Sequence, residues 1–296
     1  MSSRAKAYLA LSIMAVIWGA ALPLVKPSLD FVSPLQFLYF RYLIAAPLLL
    51  PVFIFYLFKL KPSIKTLLTI VALEFLGTAV NLPILYYGLK LTSSIEASLI
   101  GAAGPVFTVL GGIIFLHEKE SRREWRGLAL SFLGTLLLII EPLLTGRNHG
   151  VGFSMLGNGL VLTYNLIYVV YVLLAKVHYK KIPKILVSSL SYPVALLSFW
   201  LLLTITGLSA SPSLLAIPQV ALASGYMAIF GSIVAWTLFL YGQNLIEASE
   251  ASLFTYLQGI VAIPVAWLFL KEIPTWPMAL AIILIAGGVI LAEKRV

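Results

Sequence analysis

No cysteine occurs in these 296 residues, which excludes disulfides, thiol nucleophiles and cysteine-bound metals. Aspartate is almost as rare. Asp30 stands alone, so the paired aspartates of an intramembrane protease are missing, and the three histidines, His117, His149 and His178, fall at segment ends or in loops. No His-Glu-x-x-His, Gly-x-Ser-Gly or phosphate-binding P-loop pattern is present, and Glu118 beside His117 faces basic loop residues. An enzyme, a metal or cofactor site and direct coupling to ATP hydrolysis are therefore not expected. Charge is scarce as well: 10% of residues are charged and 61% hydrophobic, against roughly 25% charged in an average soluble domain. Water is not the solvent for such a chain.

What is present is a series of long apolar stretches. A helix needs about 20 mainly apolar residues to cross about 30 Å of hydrocarbon. Ten stretches qualify, at 7–26, 34–58, 65–89, 93–116, 125–144, 151–176, 183–207, 215–242, 249–270 and 275–292. The connections are short, so the expected fold is an all-α integral membrane protein with no separate soluble domain. The first stretch follows Arg4 and Lys6, lacks a small-residue cleavage pattern and is read as a span. With the N-terminus inside, 15 lysines and arginines lie on the inner side, and four, Lys26, Lys90, Arg147 and Lys271, lie on the outer side. This positive-inside bias places both termini in the cytoplasm and the chain in the cytoplasmic membrane as a multi-pass protein. Topology thus explains the net charge of +9, and nucleic acid is not an expected partner.

The second five stretches repeat the first five. Residues 87–118 and 241–272 align without a gap: Tyr87-Gly88 matches Tyr241-Gly242, and Glu96-Ala97-Ser98-Leu99 recurs as Glu250-Ala251-Ser252-Leu253. Phe115-Leu116 with Glu118 recurs as Phe269-Leu270 with Glu272. The division is 1–146 and 147–296. A duplicated unit with an odd number of spans must face opposite ways in its two copies, the inverted-repeat plan of secondary transporters, whose sites lie where the halves meet.

Ionisable groups inside spans cost about 2.5–3.5 kcal/mol on insertion scales, so each needs a reason. Arg41 lies roughly 10 Å below the outer face, and Glu74 roughly 13 Å from the inner one. They are either a structural pair locking span 2 to span 3 or groups lining a transport path. Glu74, Thr78 and Asn81 share one helical face at i, i+4, i+7, and Glu74 is the proton-coupling candidate because its protonation can change with access to either side. Tyr164, Tyr168 and Tyr171 form a stripe on span 6, with Asn158 and Asn165 on a neighbouring face. Trp18 is the repeat mate of Tyr168, and Tyr226, Trp236, Tyr256 and Gln258 lie near the middle of spans 8 and 9. Packing or an interfacial belt is the competing reading for each aromatic.

Small residues and prolines point to packing and bending. Gly101, Gly104, Gly111 and Gly112 make span 4 thin, so a neighbour can approach closely. Prolines at 23, 47, 83, 193, 218 and 264 each remove a donor and can kink a helix. Glu96, three residues after Ser93, has capping-box spacing, so it and its copy Glu250 read as helix-start residues.

The chain resembles the drug/metabolite transporter (DMT) superfamily, as a protein with two EamA-type repeats. Ile17-Trp18-Gly19, Phe40-Arg41-Tyr42 and the stretch from Leu91 to Ile139, with its copy from Leu245 to Leu291, carry the resemblance. It implies spans 1–4 and 6–9 around a central cavity, spans 5 and 10 outside it, and small organic substrates moved by alternating access. The mate of Arg41 is Ser191, so the half-sites are chemically unequal. One deep cation argues against polyanions, which need several. One cation, one carboxylate, amides and aromatics suit a zwitterion, so export of amino acids or similar metabolites is favoured. The alternatives are efflux of hydrophobic cations and a non-transporting membrane partner protein. Expected partners are a small-molecule substrate and the bilayer, with proton coupling and a homodimer left open.

Overall fold

A computed structural model of the chain describes the backbone of residues 2–104, 106–107, 111, 114–115, 122–146, 154–180, 182–246 and 248–293. It describes their side chains except at 124, 128, 142, 154, 176, 243, 248–253, 255–256, 289 and 292–293. The described residues are helical almost throughout. The helices are α1 Ser3–Val25, α2 Pro34–Leu60, α3 Ile64–Glu74, α4 Asn81–Leu91, α5 Ser94–Ala102 and α6 Arg122–Thr145. They continue with α7 Ser154–His178, α8 Lys184–Thr206, α9 Pro218–Tyr226, α10 Ala235–Gln243, α11 Ala248–Leu270 and α12 Trp276–Glu293. Six helical stretches are long and apolar enough to cross a membrane: Ser3–Asp30, Pro34–Leu60, Ile64–Leu91, Met155–Ala175, Lys184–Thr206 and Pro218–Gly242. Leu257–Leu270 and Trp276–Gly288 are shorter apolar helices.

Local chemistry sets the helix starts. Ser2, Ser33, Ser63 and Ser93 each accept a hydrogen bond from a first-turn N–H, and Ser33–Gln36 and Ser93–Glu96 complete capping boxes. Such caps stabilise by about 1 kcal/mol each and satisfy donors that hydrocarbon cannot. The helix starts also keep the repeat spacing: α2 and α8 begin 150 residues apart, α3 and α9 154, and α5 and α11 154. Packing partners correspond in the same way. α1 packs on α10 and α11, while its mate α7 packs on α4 and α5; α2 packs on its mate α8, and α6 on its mate α12.

Two expected spans are not continuous α-helices. A π-helical segment, Phe75–Val80, separates α3 from α4, and a second, Met227–Val234, separates α9 from α10. The cause is not proline, because helices run through Pro23, Pro47, Pro193 and Pro264. Each segment instead holds a glycine followed by a hydroxyl, Gly77-Thr78 and Gly231-Ser232, at corresponding repeat positions. Thr78 Oγ1 donates to the Glu74 carbonyl at 2.5 Å, and Ser232 Oγ to that of Met227 at 2.7 Å, so side chains compete for ladder acceptors. A π turn carries an extra residue, so it rotates Asn81 roughly 100° off the face of Glu74. The expected common face of Glu74, Thr78 and Asn81 is thereby broken.

The α6–α12 seam is built on small residues, which let two backbones approach closely. Ser131 Oγ donates to the Ile285 carbonyl at 3.2 Å, and a Cβ on Gly288 would meet the Gly127 carbonyl and Ser131 Oγ at 2.4 Å. Gly287 next to it faces open space. Gly288→Val should destabilise the detergent-purified protein by about 1–3 kcal/mol, as overpacking does. Gly287→Ala should be neutral or stabilising by up to about 1 kcal/mol through helix propensity. Melting temperatures check both, and equal behaviour of the two variants would contradict the seam.

Candidate functional site

The interior has a positive pole. Arg41, on α2, donates from Nε and Nη2 to Ser232 Oγ at 3.1 and 3.0 Å, and from Nη1 to the Tyr86 hydroxyl at 3.3 Å. Its guanidinium lies 5.1 Å from the centre of the Tyr42 ring. Ser232 can accept both N–H groups because its own proton goes to the Met227 carbonyl, and Tyr192 donates to the Ser232 carbonyl at 3.0 Å. Among the described residues no carboxylate partners Arg41. Its described hydrogen-bond partners are neutral oxygens.

The negative pole is Glu74, at the end of α3 and 4% exposed. Tyr171 and Tyr179 both donate to its Oε1, at 2.8 and 3.0 Å. Gly77 admits the Tyr171 ring, since a Cβ there would lie 2.7 Å from it. Tyr179 lies past the end of α7, where burial, then the nearby Glu74 charge and its hydrogen bond, push the phenol above its usual pKa. The structural Arg41–Glu74 pair is not formed: each charge takes its own neutral partners, and Tyr42 and Tyr192 stand within electrostatic reach of both.

Tyrosines join the poles. On α7 the rings of Tyr164 and Tyr168 are 6.1 Å apart, and those of Tyr168 and Tyr171 are 5.9 Å apart. Tyr164 lies within reach of Arg41 and Tyr86, while Tyr168 lies within reach of Glu74. Arg41, Tyr164 and Tyr168 are each half-buried.

The other expected site residues divide into two groups. Trp18 donates to the Gly231 carbonyl at 2.8 Å and packs on Trp236 and Phe239; Tyr226 donates to the Ile17 carbonyl at 2.7 Å; Gln258 Nε2 lies 3.9 Å from the Met14 sulfur. Trp18, Trp236 and Phe239 form an aromatic cluster, the bonds of Trp18 and Tyr226 tie α1 to the second π segment and the residue preceding it, and Trp236 is 37% exposed. The second group spends its polar atoms on backbone carbonyls or leaves them without a described partner. Asn165 donates to the Ile100 carbonyl at 2.7 Å and fastens α7 to α5; Thr78 spends its hydroxyl on the Glu74 carbonyl. Asn81 is fully buried, and its amide has no hydrogen-bond partner among the described residues. The Tyr256 side chain lies outside the described residues.

Sequence reasoning missed Tyr42, Tyr86, Tyr179, Tyr192 and Ser232. Repeat spacing held a signal for some: Tyr42 and Tyr192 are mates 150 apart, and Thr78 and Ser232 are mates 154 apart. The helix-start reading of Glu96 holds. Its carboxylate accepts from Ser93 N at 3.1 Å and Asn158 Nδ2 at 2.7 Å. Glu272 accepts from Ser94 N at 3.0 Å and Ile95 N at 3.1 Å, and the Lys26 ammonium donates to the Leu89 and Thr92 carbonyls. The Glu250 side chain lies outside the described residues.

Ser232 is the joint on which the positive pole depends. Ser232→Ala should lower stability by about 1.5–3 kcal/mol, the scale of a hydrogen bond to a charged group. Ser232→Thr should keep most of it. Thermal denaturation in detergent measures the difference, and an unchanged alanine variant would contradict the anchoring of Arg41.

A model of the EamA-like transporter family matches residues 5–140 and 155–293. Among curated relatives, an uncharacterized transporter YdfC of Bacillus subtilis is 26% identical over 293 residues, covering 96% of this chain and 90% of that one. An uncharacterized transporter of Archaeoglobus fulgidus is 23% identical over 290 residues, covering 98% of each. An uncharacterized inner membrane transporter YedA of Escherichia coli is 25% identical over 258 residues, covering 86% of this chain and 79% of that one. A crystal structure superposes with a TM-score of 0.62 at 18% identity, over 97% of this chain and 96% of that one, which shows a shared fold.

Proposed function

Because the chain belongs to the EamA-like transporter family, we propose that it moves small organic metabolites, amino acids foremost, across the cytoplasmic membrane by alternating access. It works as a secondary transporter or facilitator, with export favoured. The observation that carries the substrate reading is Arg41, a cation deep in the bundle whose described partners are the hydroxyls of Ser232 and Tyr86. A substrate carboxylate is the missing counter-ion, and its bidentate bond to the guanidinium is the strong kind. Efflux of amphipathic cations is the second reading, favoured by Glu74 beside the rings of Tyr168 and Tyr171. A scaffold with no substrate gives no reason for two opposite charges without ionic partners among the described residues.

The topology proposed is ten spans in two inverted units, 1–146 and 147–296, with both termini cytoplasmic. It is supported by the 15-to-4 charge bias and by helix starts that keep the repeat spacing. Single cysteines at Ser121 and Thr275 should react with a membrane-impermeant maleimide from opposite faces, Ser121 from the cytoplasm. Labelling of both from one face would rule the inverted plan out.

Transport itself is tested in proteoliposomes with a panel of labelled amino acids and organic cations. Arg41→Lys keeps the charge but loses the planar fork, so amino-acid flux should fall roughly 10–100-fold while the protein still folds. Normal flux in Arg41→Ala would remove the assignment. Glu74 is proposed to couple protons: an imposed pH gradient should drive accumulation in the wild type, whereas Glu74→Gln should retain only downhill flux. A wild type indifferent to the gradient is a facilitator or exchanger.

A further inference from the structure

The two poles differ in sign, stand apart and are each incompletely used. Of the five N–H donors of Arg41, three are taken by Ser232 and Tyr86, which leaves two unspent among the described residues. At Glu74 both tyrosine hydroxyls converge on Oε1, and Oε2 receives no hydrogen bond from the described residues. Each pole can therefore still bind a group of opposite charge.

Their separation follows from α7. Tyr164 stands at the Arg41 end and Tyr171 is bonded to Glu74, and seven residues of helix rise roughly 10 Å. The ring spacings of 6.1 and 5.9 Å along Tyr164, Tyr168 and Tyr171 mark the same interval. A charge-assisted hydrogen bond takes up about 2.8 Å at each end, so a ligand touching both poles carries charges roughly 5–10 Å apart. An extended chain advances roughly 3.5 Å for every three bonds. The ammonium of an α-amino acid, two bonds from its carboxylate carbon, cannot reach Glu74 once the carboxylate is on Arg41. An amine four to seven bonds away can. Tyr164, Tyr168 and Tyr171 stand along this interval, and tyrosine rings suit both a methylene chain and a cation.

Resting on the assignment of Arg41 and Glu74 to the substrate, we infer that the site selects an elongated zwitterion, with a carboxylate at one end and a primary ammonium at least four bonds away. Ligands of this class are ω-amino acids of four to six carbons and diamino acids. Neutral α-amino acids satisfy only the Arg41 end.

The test is ligand-induced thermal stabilisation of the full-length protein in detergent, which needs no knowledge of direction or coupling. The series is glycine, β-alanine, γ-aminobutyrate, δ-aminovalerate, ε-aminocaproate and lysine, with leucine, caproate and hexylamine as controls. Half-saturating concentrations should fall at least tenfold from glycine to the longest ω-amino acids, and caproate and hexylamine should each bind at least tenfold more weakly than ε-aminocaproate. Glu74→Gln should abolish the length preference and bring ε-aminocaproate to the level of caproate. A wild type that responds equally to leucine and ε-aminocaproate, or to no member of the series, overturns the inference, and neither outcome depends on a variant folding. If flux of neutral amino acids remains Arg41-dependent while no length preference appears, the transporter reading stands and the elongated zwitterion falls. If Arg41→Ala is indifferent in both assays, the reading beneath it falls as well.

Discussion

Hydrocarbon offers no hydrogen bonds, so each backbone carbonyl and each charge within a bilayer must find its partner in the protein. The rest of this structure depends on how that demand is met at the two wide turns, Phe75–Val80 and Met227–Val234. Side chains take up backbone carbonyls there. Thr78 takes that of Glu74, Ser232 that of Met227, Trp18 that of Gly231 and Tyr192 that of Ser232. Because the Ser232 proton is committed to a carbonyl, its oxygen faces Arg41 as an acceptor, and the guanidinium is oriented without an acid beside it. A backbone irregularity thus fixes the position of a charge.

The halves share a framework but not a chemistry. Trp18 and Tyr168 are mates in the repeat, as are Tyr42 and Tyr192, yet Trp18 and Tyr192 hold the second wide turn while the ring of Tyr42 lies against Arg41 and Tyr168 stacks between two other tyrosines. Arg41 and Glu74 both come from the first half, and their mates are Ser191 and Ala228. The second half contributes Ser232 and the tyrosines of α7 and α8. Both charges come from one copy, and Ser232, Tyr171 and Tyr179 of the other supply most of their described hydrogen-bond partners.

Toward one end of the bundle, Glu96 and Glu272 spend their carboxylates on helix-start N–H groups and Lys26 donates to two carbonyls. These charges are satisfied by the fold itself. Glu96 differs from Glu74 in its partners: Ser93 N–H, Asn158 and Thr92 surround it, whereas among the described residues Glu74 meets two phenols. Burial alone therefore does not mark a site residue, since both carboxylates are buried. What distinguishes them is whether the surrounding donors use up the charge.

The sequence by itself determined the solvent, the helices, the caps and the duplication, because apolar length, serine-led helix starts and constant spacing are local or periodic properties. Arg41 and Glu74 were legible as well, since an ionisable residue within an apolar run is conspicuous wherever it ends up. The tertiary structure alone decided their partners. Ser232 is 191 positions from Arg41, and Tyr171 is 97 from Glu74, and no periodicity reports contacts across such separations. It also decided which residues share a face, because the rule of 3.6 residues per turn fails at a π segment and carries Asn81 away from Glu74. Whether two opposite charges neutralise each other or stand apart is a matter of distance between helices, and only their packing sets that distance.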